Sequence, residues 1–151
     1  MFNFDLHTPT RILFGKGAIE NLRAQIPADA RVLITYGGGS VKKTGVLDQV
    51  LSALQGLDVL EFGGIEPNPS YETLMNAVKI AREEKVTFLL AVGGGSVLDG
   101  TKFIAAAAHY DTSIDPWEIL ETYGSHVTSA IPMGSVLTLP ATGSESNKGA
   151  V

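Results

Sequence analysis

Residues 88–102 read FLLAVGGGSVLDGTK, and this stretch decides the fold of the chain. An apolar run ends in glycines and a serine, and an amphipathic segment follows, which predicts a buried strand, a tight turn and the start of a helix. Glycines let a ligand approach the main chain, and a helix N-terminus attracts phosphate through unpaired N–H groups and its dipole. The turn is interpreted either as a phosphate-binding site or as an ordinary turn with Ser96 as the helix N-cap.

A second copy of the tetrapeptide Gly-Gly-Gly-Ser lies at residues 37–40 and favours the phosphate-binding interpretation. NAD-specific sites usually place an acidic residue after the second strand, where it accepts hydrogen bonds from the ribose 2′-hydroxyl. Here glycine and serine hold that place, and Lys42 and Lys43 lie just beyond. Because these groups would accommodate a 2′-phosphate, the turn predicts NADP rather than NAD. The alternative is a plain loop with two exposed lysines.

Strand-like and helix-like patterns alternate along the rest of the chain. β structure is predicted within residues 1–16, and a helix is predicted to follow Gly17 and to stop at Pro27. Further strands are predicted at 31–36, 57–62, 87–92, 130–133 and 136–139, and further helices over 46–54, 71–84, 97–108 and around 116–120. The alternation indicates βαβ units in one α/β domain, with a Rossmann-like, mainly parallel sheet flanked by helices.

The polar candidates lie in segments that follow the predicted strands. Ligands of parallel sheets lie at the carboxyl ends of the strands, so both glycine turns, the loop 66–69 and the segment 138–147 are expected to converge at one edge. The last segment offers hydroxyl and amide groups that suit a pyrophosphate, a ribose or a nicotinamide amide, or else ordinary turns: Thr138, Thr142, Ser144 and Asn147. Asn68, between two prolines, is either a contact on the adenine side or an Asx turn.

Two charged residues follow the second glycine turn at a spacing of three. Asp99 is interpreted as a cofactor contact or as an acid that caps the helix, and Lys102 is interpreted as a solvated lysine. The three histidines, His7, His109 and His126, lack the spacing of a helical metal site, and each is predicted to be a surface residue or one whose hydrogen bonds are satisfied within the protein.

Composition excludes several classes of protein. A net charge of -5 with only 11 lysines and arginines in 151 residues does not suggest a nucleic-acid-binding protein. Cysteine is absent, so neither disulfides nor thiolate chemistry are expected. No apolar run is long enough to predict a membrane span, and the first residues lack the layout of a signal peptide, which predicts a cytoplasmic protein.

Four motifs in order resemble those of the iron-containing (group III) alcohol dehydrogenases. Residues 93–102 resemble the family's G-G-G-S-x-x-D-x-x-K motif, and residues 10–17 are similar to its opening strand. Residues 66–69 resemble its P-N-P loop, and residues 138–145 resemble its T-G-S-E segment in a variant form. The glycine-serine turn at 37–40 is most similar to that of the NADPH-dependent broad-range aldehyde reductases, in the butanol-dehydrogenase-like branch.

The resemblance implies the N-terminal domain of a dehydroquinate-synthase-like fold, covering residues 1–151. It implies NADP(H), and a divalent metal, iron or zinc, that a second, all-helical domain of the full-length parent would hold. The activity it implies is reduction of small aldehydes and oxidation of primary alcohols by a homo-oligomer. By resemblance the cofactor-binding residues are Gly37, Gly38, Ser40, Asn68, Gly94, Gly95, Ser96, Asp99, Thr138, Thr142 and Asn147, while no catalytic or metal-binding residue is assigned.

The family's metal ligands lie beyond residue 151, so the chain is expected to be an N-terminal fragment that is inactive alone and self-associates through exposed apolar surface. Two alternatives remain open. One is a non-enzymatic nucleotide-binding or interaction module of flavodoxin-like shape. The other is an NAD-linked diol dehydrogenase, which the absence of an acid near Gly39 disfavours.

Overall fold

Four parallel strands form one sheet in the order β2-β1-β3-β4 in this computed structural model, which describes residues 9–150. The strands are β1 Arg31–Tyr36, β2 Asp58–Phe62, β3 Phe88–Gly93 and β4 Met133–Leu137. The α-helices are α1 Ser40–Lys43, α2 Val46–Ala53, α3 Tyr71–Glu83, α4 Gly95–Ala108 and α5 Glu118–Glu121, and 3-10 helices span Ala18–Gln25 and Ser144–Ser146. The predicted α/β class with a Rossmann-like parallel sheet is confirmed.

Alternate side chains of the central strands enter two apolar cores, one on each face of the sheet. Leu33 and Leu89 pack with α3 and α4 on one face. Ile34 and Leu90 pack on the other face with α2 and with half-buried residues of the first 3-10 helix. All four side chains are fully buried, and burial of each stabilises the fold by about 1.5–3 kcal/mol. Coverage on both faces explains why β3 is a continuous apolar run rather than an alternating one.

Most predicted elements are confirmed, with shifts of a few residues at their ends. The N-cap at Ser70 is confirmed, because its hydroxyl accepts a hydrogen bond from the backbone N–H of Thr73 at 3.3 Å. The two predicted strands at 130–133 and 136–139 are a single strand, β4. No helix within residues 9–150 is long and apolar enough to cross a membrane.

The prediction of β structure within residues 1–16 is wrong for the described part, residues 9–16, and residues 1–8 lie outside the described residues. Strand propensity produces a strand only where a sheet edge is alongside to accept hydrogen bonds. Residues 9–14 instead lie exposed beside the segment after β4, where the Thr10 hydroxyl donates to the carbonyl of Glu145 at 2.9 Å. The side chain of Phe14 is 98% exposed.

The helix predicted after Gly17 is a 3-10 helix, Ala18–Gln25. Its inward residues Ile19 and Leu22 lie three positions apart, and a 3-10 helix with three residues per turn places them on one side.

Candidate functional site: the carboxyl edge of the sheet

The turn between β3 and α4 places open main chain at the end of the central strand. Gly93 still belongs to β3, Gly94 is the extended N-cap with φ -88° and ψ -169°, and α4 begins at Gly95. The interpretation of Ser96 as the N-cap is therefore wrong. The helix starts earlier than Ser96, because the N–H of Leu98 already donates to the carbonyl of Gly94 at 3.1 Å.

The turn between β1 and α1 is more exposed and carries two lysines. Gly39 caps α1 in the left-handed region with φ 108°, and Ser40 is the first helical residue. The ammonium of Lys42 lies 5.0 Å from the centre of the Tyr36 ring, while the Tyr36 hydroxyl donates to Glu61 at 3.2 Å. The interaction with Tyr36, with a smaller contribution from the Glu61 charge, raises the pKa of Lys42. This lysine therefore stays cationic beside the turn.

The loop 63–69 connects the two glycine turns. At the first turn, the N–H of Gly64 donates to the carbonyl of Gly37 at 3.1 Å, and the N–H of Ile65 donates to that of Tyr36 at 3.2 Å. At the second turn, the N–H of Asn68 donates to the Ser96 hydroxyl at 3.4 Å. The loop therefore holds the two turns at one edge of the sheet.

Glu66 shapes this loop. Its carboxylate accepts hydrogen bonds from the Ser70 N–H and the Thr73 hydroxyl, both at 3.0 Å. Together with a hydrogen bond from the backbone N–H of Glu66 itself, which has the largest effect, these contacts lower the pKa of Glu66 to about 2. The Ser70 N–H is the group that an Asx turn at Asn68 would use, so that interpretation of Asn68 is not supported.

The segment after β4 closes the site on its other side. The N–H of Thr138 donates to the carbonyl of Gly93 at 2.9 Å. A Cβ added to Gly95 would lie 3.6 Å from the Thr142 hydroxyl, so this segment covers the start of α4. The Asn147 amide turns back into its own segment, donating to the carbonyl of Gly143 and accepting from the N–H of Gly149, both at 2.9 Å.

Asp99 and Lys102 hold this segment against α4. The Asp99 carboxylate accepts from the Ser144 hydroxyl at 2.8 Å and from the Lys102 ammonium at 3.3 Å. Their side chains are only 14% and 15% exposed. Asp99 lies beyond the first turn of α4, so it is not a capping acid, and the interpretation of Lys102 as a solvated lysine is wrong.

The expected convergence at one edge of the sheet is confirmed as a matter of geometry. Asn68 meets Ser96, Thr142 lies over Gly95, and Thr138 bonds to β3. A Cβ added to Gly37 would lie 3.7 Å from Val97 Cγ2, so the first turn also adjoins α4 directly. A Cβ at Gly38, Gly39 or Gly94 would meet nothing within 4 Å. Open space thus faces bare backbone beside the N-terminus of the 14-residue helix α4, an arrangement that fits the phosphates of a dinucleotide.

Comparison with known proteins agrees with this arrangement. The family model described as iron-containing alcohol dehydrogenase matches residues 9–151. The chain belongs to the iron-containing alcohol dehydrogenase family. The NADPH-dependent aldehyde reductase YqhD of Escherichia coli is 83% identical over 151 residues, which are 100% of this chain and 39% of that protein. The NADP-dependent alcohol dehydrogenase 3 of Entamoeba histolytica is 48% identical, over 97% of this chain and 39% of that protein.

Solved structures of the family share the fold described above. A crystal structure of E. coli YqhD superposes with a TM-score of 0.94, covering 96% of this chain and 37% of that chain at 83% identity. The NADH-dependent butanol dehydrogenase A of Thermotoga maritima superposes with a TM-score of 0.85 at 42% identity, covering 93% of this chain and 35% of that chain. The chain therefore spans less than two fifths of the length of these relatives.

The metal of an iron-containing alcohol dehydrogenase does not fit the described residues. Within residues 9–150 there is no group of three or more His, Cys, Asp or Glu side chains that could hold a metal ion. The two described histidines make contacts away from the glycine turns: His109 pairs with Ser129 at 3.3 Å, and His126 lies 3.7 Å from Glu118.

Sequence reasoning did not identify the roles of three residues at this edge. Glu66 shapes the loop that joins the turns, Tyr36 contacts Lys42, and Lys102 joins α4 to the segment after β4. For Lys102 a signal was present, because its spacing of three from Asp99 on a helix brings the two charges together.

Proposed function

We propose that residues 1–151 form the dinucleotide-binding domain of an NADP(H)-dependent, metal-dependent alcohol dehydrogenase or aldehyde reductase. The observation that carries the proposal is the meeting of two Gly-Gly-Gly-Ser turns and a polar segment at the carboxyl edge of a parallel sheet, with open space opposite Gly38 and Gly94. Ligands of open parallel sheets lie at this edge. The names of YqhD and of the Entamoeba relative, an aldehyde reductase and an alcohol dehydrogenase, support the same activity.

In this proposal each group at the edge has a role toward the cofactor. Gly94, Gly95 and Ser96 hold the pyrophosphate, because α4 presents free N–H groups and the positive end of its dipole there. Gly37, Gly38 and Ser40 lie toward the 2′-phosphate, and Thr138 and Thr142 lie toward the ribose and nicotinamide. Asn68 and Asp99 adjoin the second turn through Ser96 and Ser144. Asn147 is assigned to the ribose and nicotinamide as well, but its amide bonds Gly143, Gly149 and Lys102 and has to turn outward to reach the cofactor. When bound, NADP(H) supplies the hydride that is exchanged with an aldehyde or alcohol.

The preference for NADP over NAD rests on the β1–α1 turn. The relatives differ in this respect, since YqhD is NADPH-dependent whereas the Thermotoga butanol dehydrogenase is NADH-dependent. Residues 37–40 contain no acid that would repel a 2′-phosphate, and Lys42 lies beside them as a cation. These groups support a site for the additional phosphate.

The metal, iron or zinc, and the substrates, small aldehydes and primary alcohols, rest on family membership and on the names of the relatives. The expected absence of nucleic-acid and membrane partners rests on composition and stays a prediction. A cytoplasmic location and assembly as a homo-oligomer stay predictions of the sequence.

A titration of the 151-residue chain with NADPH and, separately, with NADH tests the proposal through nicotinamide fluorescence. We expect NADPH to bind about tenfold more tightly than NADH, since one well-placed charge-assisted contact contributes about 1.4 kcal/mol. Equal affinities would reject the assignment of NADP. Absence of binding by either, with circular dichroism showing a folded chain, would reject the dinucleotide site itself.

A further inference from the structure

We propose that Lys102 is a positioning residue that fastens the segment 142–149 onto α4 and so holds it in the conformation a bound dinucleotide meets. The inference rests on the proposed function, because it concerns the same edge of the sheet. Lys102 itself contacts Asp99 on α4 and two residues of the segment, Asn147 and Gly149.

Each proton of the Lys102 ammonium has an acceptor. The nitrogen lies 3.3 Å from Asp99 Oδ1, 3.3 Å from Asn147 Oδ1 and 2.5 Å from the carbonyl oxygen of Gly149. An ammonium has three donors and no acceptor, so the three contacts satisfy it completely. Its side chain is 15% exposed, and screening by water is therefore weaker than at a surface ion pair.

The hydrogen-bond partners of Lys102 come from both α4 and the segment 142–149. Asp99 lies on α4, one turn before the lysine, whereas Asn147 and Gly149 follow 45 and 47 residues later in the chain. Asp99 also accepts from the Ser144 hydroxyl at 2.8 Å. Lys102 and Asp99 thus form an ion pair on α4, and this pair binds hydroxyl, amide and carbonyl groups of the segment.

The fastened segment carries the groups assigned to the cofactor. It begins at Thr142, whose hydroxyl lies over Gly95 at the start of α4, and it follows Thr138, which bonds to β3. Beyond Thr142, the hydrogen bonds of the described residues attach this segment to α4 in two ways: Ser144 bonds to Asp99, and Asn147 and Gly149 bond to Lys102. Loss of the lysine frees the end of the segment and leaves the mostly buried Asp99 without its counter-charge, beside a site for an anion.

The experiment compares Lys102→Met, Lys102→Arg and the matched control Lys79→Met, in which an exposed lysine of α3 is truncated in the same way. Hydrogen exchange measures the protection of the amides in the segment, and titration with NADPH measures the affinity of the proposed cofactor site. We expect Lys102→Met to raise exchange of amides 143–149 at least tenfold while amides of β1 and β3 keep their protection, and to weaken NADPH binding about tenfold. Lys102→Arg should keep most of the wild-type protection of the segment and most of the wild-type NADPH affinity. Lys79→Met should change neither the protection nor the affinity.

Three results would overturn the inference. One is a Lys102→Met variant whose segment exchanges at the wild-type rate. Another is a variant whose segment exchanges faster while its affinity for NADPH is unchanged. The third is loss of protection throughout the sheet, which would make Lys102 a residue of global stability. A wild-type chain that binds no NADPH overturns the proposed function and the cofactor role of the segment, while the exchange data still decide separately whether Lys102 fastens it.

Discussion

The residues Gly-Gly-Gly-Ser-Val occur at 37–41 and again at 93–97, and the helix that follows begins at a different residue in each copy. In the first copy it begins at the serine, after Gly39 with φ 108°. In the second copy it begins at the third glycine, after Gly94 with φ -88°. The first helix has 4 residues and the second has 14.

The neighbours of each copy explain the difference. Gly93 pairs with Leu137 of β4, so β3 continues into the tetrapeptide, whereas β1 ends at Tyr36. After the second serine, apolar residues recur at helical spacing and are buried, so α4 packs along the sheet. After Ser40 and Val41 come two lysines, Thr44 caps the end of the short helix, and Gly45 follows with φ 75° as the N-cap of α2. Identical local sequence therefore adopts the conformation that the surrounding packing stabilises.

Gly93→Ala is expected to have the largest effect on stability, because it disturbs the packing of the second copy and leaves the first copy unchanged. The added Cβ would lie 2.8 Å from Val97 Cγ2 and 3.1 Å from Val97 Cβ. Val97 is buried, and a β-branched residue in a helix strongly prefers one rotamer, so its side chain moves aside only at a cost. We expect overpacking to lower the free energy of unfolding by about 1–3 kcal/mol, measured by urea denaturation.

The matched control is Gly94→Ala, one residue further along. Its Cβ would meet nothing within 4 Å, and its φ is one that alanine adopts, so the denaturation midpoint should stay close to wild type. NADPH affinity should nevertheless fall about tenfold, because the methyl group occupies the space assigned to the pyrophosphate. Equal midpoints for the two variants would contradict the packing explanation of the second turn.

Gly39→Asp sharpens the comparison at the first copy. The left-handed φ of Gly39 costs a side chain about 1–2 kcal/mol, so strain has to be separated from charge. Gly39→Asn introduces the same strain with a neutral side chain of nearly the same size. We expect the ratio of NADPH to NADH dissociation constants to shift about tenfold toward NADH in Gly39→Asp, measured by fluorescence titration, because the carboxylate repels a 2′-phosphate. An equal shift in Gly39→Asn would assign the effect to backbone strain.

The smallest expected effect is a pH dependence of the stability that Glu66 contributes through the loop joining the two copies. The pKa of Glu66 falls from 4.5 to about 2 on folding, so its stabilisation is present above about pH 4.5 and is lost as the pH falls toward 2. We expect Glu66→Gln to lower the denaturation midpoint slightly at pH 6, and the difference from wild type to shrink at pH 2.5. A difference that stays constant between these pH values would show that the carboxylate charge does not support the loop.

Local sequence was sufficient to predict β1, β2, β3 and their helices, because short apolar runs bounded by turn residues indicate the strands and apolar residues at helical spacing indicate the helices. The same reasoning failed at residues 10–14, where a strand-like pattern has no paired edge in the described structure. It also placed the start of α4 too late, because serine is a good N-cap in isolation. The prediction of a solvated Lys102 is wrong because its acceptors at Asn147 and Gly149 lie too far along the chain for any local pattern to indicate.

The sequence by itself determined the α/β class, the two glycine turns and the polar segments that follow the strands, because each depends on residues close together in the chain. Only the tertiary structure decided where α1 and α4 begin, how the loop 63–69 joins the turns and which groups Lys102 fastens. Those features are hydrogen bonds and contacts between residues up to 47 positions apart, and they exist only once the parallel strands have brought their carboxyl ends to the same edge.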